Sequence, residues 1–148
     1  MDGFQIRTFR IDDTEAVVVL WDEAGLIRPW NDPRADIARK LTVQPELFLV
    51  AEEPGSDDRP PRIVGSVMGG YDGHRGWLYY LASAADRRGA GIGHALVAET
   101  ERLLAAMGCP KVQLMVREGN EQVLGFYDGL GYEPFRVHTT AKRLIVDV

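Results

Sequence analysis

Arg87-Arg88-Gly89-Ala90-Gly91-Ile92-Gly93-His94 stands between an apolar run, Trp77–Ser83, and a long segment of helical periodicity, Gly91–Met107. That placement reads as strand, turn, helix. Glycines let a backbone come close to a ligand and point several N–H groups the same way. The helix start adds four unpaired N–H groups and the positive end of the macrodipole. A pyrophosphate fits such a turn, and Arg87 and Arg88 bring formal positive charge to its rim.

Two familiar phosphate loops do not match. A P-loop needs GxxxxGK[ST], and no lysine with Ser or Thr follows here. A dinucleotide fingerprint needs GxGxxG after the first strand, whereas Gly89-x-Gly91 leads to His94 late in the chain. A glycine-rich turn that binds nothing is the plainer alternative. The arginines and the strand–turn–helix setting weigh against it.

Working outward, Trp77–Ser83 is apolar on both faces and reads as a central strand. Ile92, Leu96, Val97, Thr100, Leu103, Leu104 and Met107 keep one helical stripe, ended by Gly108 and Pro110. Lys111–Val116 alternates as a strand. Gln122–Leu130 reads as a short helix stopped by Gly131, and Phe135–Thr140 with Arg143–Val148 reads as a closing pair of strands. Toward the N-terminus, Phe4–Arg10, Leu47–Glu52 and Ile63–Tyr71 read as strands. Ala16–Ala24 recurs at helical spacing after Asp12 and Glu15, although Val17-Val18-Val19 alone favours strand. Asp32-Pro33 starts a second helix, with an N-cap carboxylate and proline at the first helical position. Pro54–Pro61 reads as a long hairpin loop rather than a domain boundary. The order is α/β, with an antiparallel meander in front and a strand–helix–strand crossover behind.

The 148 residues suit one domain spanning 1–148. A net charge of −5 argues against nucleic acid and anionic membranes as partners. One cysteine, Cys109, makes no internal disulfide, and His74, His94 and His138 lack metal-ligand spacing. The longest apolar runs are six residues, far short of the ~20 of a membrane span. The charged N-terminus does not read as a signal peptide, so the expectation is a soluble, cytoplasmic protein.

The spacing Arg88-x-x-Gly91-x-Gly93 resembles the (Gln/Arg)-x-x-Gly-x-(Gly/Ala) motif of the GNAT superfamily of acetyl-CoA-dependent N-acetyltransferases. Asn120-Glu-Gln-Val-Leu-Gly-Phe-Tyr127-Asp-Gly-Leu-Gly131-Tyr132 is similar to that superfamily's Asn-x6-Tyr-x3-Gly-(Phe/Tyr) segment. The two motifs stand in the right order on the right elements, and the strand order agrees over almost the whole chain. Leu26–Pro33 and Gly69–Gly76 further resemble a bacterial subgroup typified by the protein YpeA, close to the ribosomal-protein alanine acetyltransferases.

The resemblance implies a GNAT fold with a central mixed sheet of about six to seven strands and about four helices. It implies acetyl-CoA as cosubstrate and acetyl transfer to a primary amine by direct attack in a ternary complex. The thioester would lie between Trp77–Ser83 and Lys111–Val116, with backbone at Leu81 and Ser83 on the pantetheine arm. Arg88, Gly89, Ala90, Gly91, Ile92, Gly93 and His94 would hold the pyrophosphate. Asn120 would bond the pantetheine or orient the leaving group, although an asparagine there is also a natural helix N-cap. Tyr127 would be the general acid toward a departing thiolate of pKa ~8.5; a core tyrosine with a wet hydroxyl is the alternative. Arg28, Trp30 and Asn31 precede a capped helix where the superfamily builds its acceptor site, and a hydrophobic staple explains them equally well.

The sequence departs from the pattern at the general base. The alanine acetyltransferases carry a glutamate five residues before the asparagine, and that position here is Met115. Trp77–Ser83 has no carboxylate, which leaves Glu118, Asp72, His74 and Tyr79 acting through water. Ser83 and Ala85 stand where valine and proline are usual. The missing base supports a rival reading: a non-catalytic acyl-CoA-binding or regulatory module on the same fold. No serine, cysteine or lysine is placed with an activating base, which disfavours a covalent intermediate. Pairing of two copies is left open.

Overall fold

A computed structural model describes residues 3–147. Gln5–Thr8 forms β1, and the chain turns through a 3-10 segment, Ile11–Asp13, into α1, Thr14–Glu23. The capping carboxylate is Asp13, one residue later than the Asp12 reading: its Oδ2 accepts the Arg10 N–H at 2.8 Å. The Val17–Val19 run is helical because Val17, Val18, Leu20 and Trp21 all find the core, and burial overrides local strand preference. α2, Pro33–Lys40, begins as its sequence indicates: the Asp32 carboxylate accepts the Arg34 N–H at 2.9 Å, and Pro33 opens the helix.

β2 (Phe48–Glu53), β3 (Arg62–Tyr71) and β4 (Gly76–Ser83) form the meander, with Pro54–Pro61 as the loop joining β2 to β3. α3 spans Ile92–Ala106 and leads to β5, Val112–Gln113, parallel to β4. α4, Leu124–Asp128, follows a 3-10 turn at Glu121–Val123. The sheet order is β1-β2-β3-β4-β5, a mixed sheet carrying four helices among the described residues.

Alternation along β3 sorts the two helical layers. A Cβ on Gly65 would stand 2.5 Å from Ile92 Cγ2, and one on Gly69 2.6 Å from Thr100 Cγ2, so these glycines admit α3 against the sheet. Ser66, between them, points to the other face and meets Trp21 of α1. The fully buried side chains include Trp21, Leu47, Phe48, Val50, Val64, Val67 and Leu96.

The expected six to seven strands become five. Lys111–Val116 pairs only at Val112 and Gln113. Phe135–Thr140 and Arg143–Asp147 join no ladder, and Val148 lies outside the described residues. Alternating apolar residues make a strand only against a partner that buries one face. Here Phe135, Val137, Leu144 and Val146 stay exposed. The segment is anchored by charge instead: Asp147 pairs with Arg39 at 2.5 Å and accepts the Asp32 N–H at 3.0 Å. The helix expected over Gln122–Leu130 is shorter for a local reason, since Gly125 and Gly129 each cost ~1 kcal/mol in a helix.

At the start of the sheet, Arg7 donates to Asp13 at 2.8 and 2.9 Å and to Glu52 at 2.9 Å. Burial pulls the Asp13 pKa upward, but the Arg7 guanidinium and the Arg10 N–H outweigh it and hold the carboxyl below its ordinary value. A depressed folded pKa contributes stability above the unfolded value of ~3.9 and loses it as pH falls through the folded one. Asp13→Asn is therefore expected to cost about 1–2 kcal/mol at neutral pH, since charge-assisted hydrogen bonds are lost while Arg7 keeps its pair with Glu52. Urea unfolding of both proteins should show the gap narrowing below about pH 4.

Candidate active site

Gly89 (φ +83°) and Gly91 (φ +82°) both lie in the left-handed region, and an added Cβ at either meets nothing within 4 Å. Backbone conformation, not crowding, requires glycine at both. Gly91 is the N-cap of α3 and provides no side-chain cap, so the first-turn N–H groups of Ile92, Gly93 and His94 face an open, exposed turn. The cradle suits a pyrophosphate. Arg88 is exposed beside it and makes no ion pair among the described residues. Arg87, by contrast, is engaged: it pairs with Glu53 at 2.5 Å and with Asp86 at 3.2 Å, so its charge is not free for a ligand. Gly93 has a packing reason as well, because a Cβ there would press on Phe126 Cζ of α4 at 3.2 Å.

Next to the turn, β4 and β5 part. They pair only at Gly76–Val112 and Trp77–Gln113, so Leu81 and Ser83 lie on β4 beyond the last pair. On its other edge β4 carries a bulge: Met68 faces Tyr79 and Ser66 faces Ala82, which leaves Tyr80 and Leu81 opposite Val67 alone. Tyr80 has φ +54°, a conformation that costs an aromatic residue ~1–3 kcal/mol. Its surroundings hold it there. The ring stacks on Trp21 at 3.8 Å. Its hydroxyl donates to Asp36 Oδ2 at 2.6 Å and accepts from Asn31 Nδ2 at 3.0 Å. Its carbonyl accepts from the Ser66 hydroxyl at 2.9 Å, and that hydroxyl accepts the Trp21 Nε1–H at 2.8 Å. Burial and the neighbouring Asp36 carboxylate push the Tyr80 phenol far up. The sequence around Trp21, Ser66, Tyr80 and Asp36 does not point to any of them as a site residue. They come together from four elements, and nothing local marks them.

Tyr127 lies on α4, edge-on to Phe126 at 5.1 Å and to Tyr132 at 5.6 Å. Burial alone pushes its phenol up to about 12, so the hydroxyl is protonated throughout the neutral range. With Trp77, Gln113, Leu114 and Met115 it lines an open cavity of about 960 Å³ beside β5. Met115 is 54% exposed. The glycine turn, Leu81, Ser83 and Asn120 are not among the walls of that cavity. Asn120 does not cap with its side chain; its Oδ1 accepts from Gln122 Nε2 at 2.5 Å.

Of the candidate bases, Asp72 is already used. It accepts the Arg75 and His74 N–H groups and Trp77 Nε1–H, which lower its pKa, so it closes a turn. Burial raises the Tyr79 phenol. Cys109 is half-buried, its Sγ 3.4 Å from the Lys111 carbonyl. Of the acceptor candidates, Asn31 reaches Tyr80 and also donates to Asp36 Oδ2. Trp30 is 52% exposed with the Arg117 guanidinium 5.8 Å from its ring centre, and Arg28 turns back to the Gly25 carbonyl at 2.6 Å. No helix among the described residues is long and apolar enough to cross a membrane.

Residues 13–132 match the model of the acetyltransferase (GNAT) family. An acetyltransferase of Pectobacterium atrosepticum is 56% identical over 143 residues, covering 97% of each chain. Among solved structures, Ard1 from Thermoplasma volcanium is similar with a TM-score of 0.72 and 24% identity, over 87% of this chain and 82% of that one. The NatC complex bound to Gag peptide and CoA is similar with a TM-score of 0.77 and 22% identity, over 90% and 87%.

Proposed function

This chain belongs to the acetyltransferase (GNAT) family, and from that premise we propose that it transfers an acetyl group from acetyl-CoA to a primary amine by direct attack in a ternary complex. The observation that carries the reading is the uncapped start of α3 behind Gly89 and Gly91, set beside the parting of β4 and β5. Acetyl-CoA, when bound, supplies an activated acetyl group on a thioester. The N–H groups of Ile92, Gly93 and His94, with Arg88 at the rim, bind its phosphates. Backbone of β4 at Leu81 and Ser83 lies along the arm, and preorganised donors of this kind are worth ~2.7–4 kcal/mol each where they meet developing negative charge. Tyr127 holds the proton at its Oη that the departing sulfur takes. Asn120 orients that end of the arm.

No carboxylate stands on β4 or β5, so the acceptor amine finds little help in losing its proton. That favours acceptors with an α-amino pKa of ~7.7–8.0 over a lysine-like ~10.4. The single domain, the cytoplasmic setting and the YpeA-like subgroup near the ribosomal-protein alanine acetyltransferases belong to the same reading. Turnover with a panel of amines, read by thiol release, tests it. Peptide α-amines are expected to outpace lysine side chains at neutral pH. Tight acetyl-CoA binding with no turnover on any amine would favour the non-catalytic module.

A further inference from the structure

The gap between β4 and β5 has a charged mouth. The loop of Trp30 and Asn31 bridges it: Asn31 bonds Tyr80 of β4, and Trp30 stands under Arg117, four residues past the end of β5. The C-terminal segment brings a second cation there, with Arg143 Nη2 donating to Asn31 Oδ1 at 3.3 Å. Arg117 has no ion pair among the described residues, and the nearest pairing of Arg143 is a long 3.9 Å to Asp147. Three carboxylates around Asn31 already have closer partners than Arg143. Asp36 holds Arg39, Tyr80 and Asn31; Asp147 holds Arg39; Asp32 caps α2. A chain of net charge −5 thus turns two weakly paired guanidinium groups toward the mouth of its own gap.

From the pairing of Arg117 and Arg143 around Trp30 and Asn31, we propose that the acceptor carries an oxyanion, a carboxylate or a phosphate, on the same molecule as its amine. This rests on the acetyl-transfer reading and adds the substrate class. Guanidinium groups bind planar oxyanions through paired, charge-assisted hydrogen bonds, and the same charge repels cationic acceptors. Both side chains are exposed and neither belongs to the core, and the melting temperature of each alanine variant checks that the fold is kept.

The test is calorimetric binding of matched amines to the protein saturated with CoA. Ala-Glu amide is set against Ala-Gln amide and Ala-Lys amide, and phosphoethanolamine against ethanolamine. At least one of the two oxyanion-bearing amines, Ala-Glu amide or phosphoethanolamine, is expected to bind about tenfold more tightly than its match without the oxyanion, a difference of about 1.4 kcal/mol. The advantage should shrink with added salt and in Arg117→Ala and Arg143→Ala. The arm that shows it names carboxylate or phosphate. Equal affinities in both pairs, tighter binding of Ala-Lys amide, or binding by none of them overturns the inference. Thiol release in parallel separates the two claims. Turnover without charge preference keeps acetyl transfer and removes the oxyanion, whereas preference without turnover does the reverse.

Discussion

Replacing Gly91 by glutamate is expected to abolish stabilisation by acetyl-CoA. Wild-type protein at one hundred times the dissociation constant should gain ~2.7 kcal/mol, or roughly 5–10 °C in Tm for a chain of this size. In Gly91→Glu a carboxylate enters the cradle at the N-cap of α3, where the phosphates would sit, and like charges repel. The substitution also strains the backbone, because Gly91 has φ +82°. Strain lowers the melting temperature of the variant itself and must be separated from lost binding. Gly73→Glu is the control. Gly73 has φ +91° with open space around it and lies in the β3–β4 turn. It should melt lower than wild type yet keep the full shift with acetyl-CoA. A Gly91→Glu protein that keeps the shift would remove the turn from the binding site.

Tyr127→Phe is expected to lower kcat by ~10²-fold, about 2.7 kcal/mol of transition-state stabilisation, with little change in KM for acetyl-CoA. The hydroxyl matters only as the thiolate leaves, so the ground state should bind equally well. The ring keeps its edge contacts with Phe126 and Tyr132, and the melting temperature should hold. Because burial pushes the phenol up to about 12, its contribution should be flat across the neutral range and fall only as pH nears that value. Any inflection near neutrality then belongs to the amine. Full activity in the variant would assign Tyr127 to packing.

Much of the architecture is legible in the chain alone, wherever local chemistry and burial agree. Asp32-Pro33 starts a helix because a carboxylate caps free N–H groups and proline has none to lose, and the structure repeats that bond by bond. The stripe from Ile92 to Leu104 is buried along α3. Gly89 and Gly91 take the positive φ that only glycine adopts cheaply, so the glycine turn before α3 too is written locally. What the sequence does not settle is whatever depends on a distant partner. Phe135–Thr140 and Arg143–Val148 read as a pair of strands, yet no sheet edge takes up the described residues of either, and Phe135, Val137, Leu144 and Val146 remain exposed. Arg87 looks as free as Arg88 until Glu53, 34 residues away, claims it. The Tyr80 bulge has no signature in its own neighbours. It exists because Trp21, Ser66, Asn31 and Asp36, drawn from α1, β3, the loop before α2 and α2, each make one contact that the strained backbone alone could not maintain. Local chemistry decides caps and glycine turns at the scale of a few residues; the helical state of Val17–Val19, strand pairing, ion-pair choice and stored strain are settled only when the chain closes on itself.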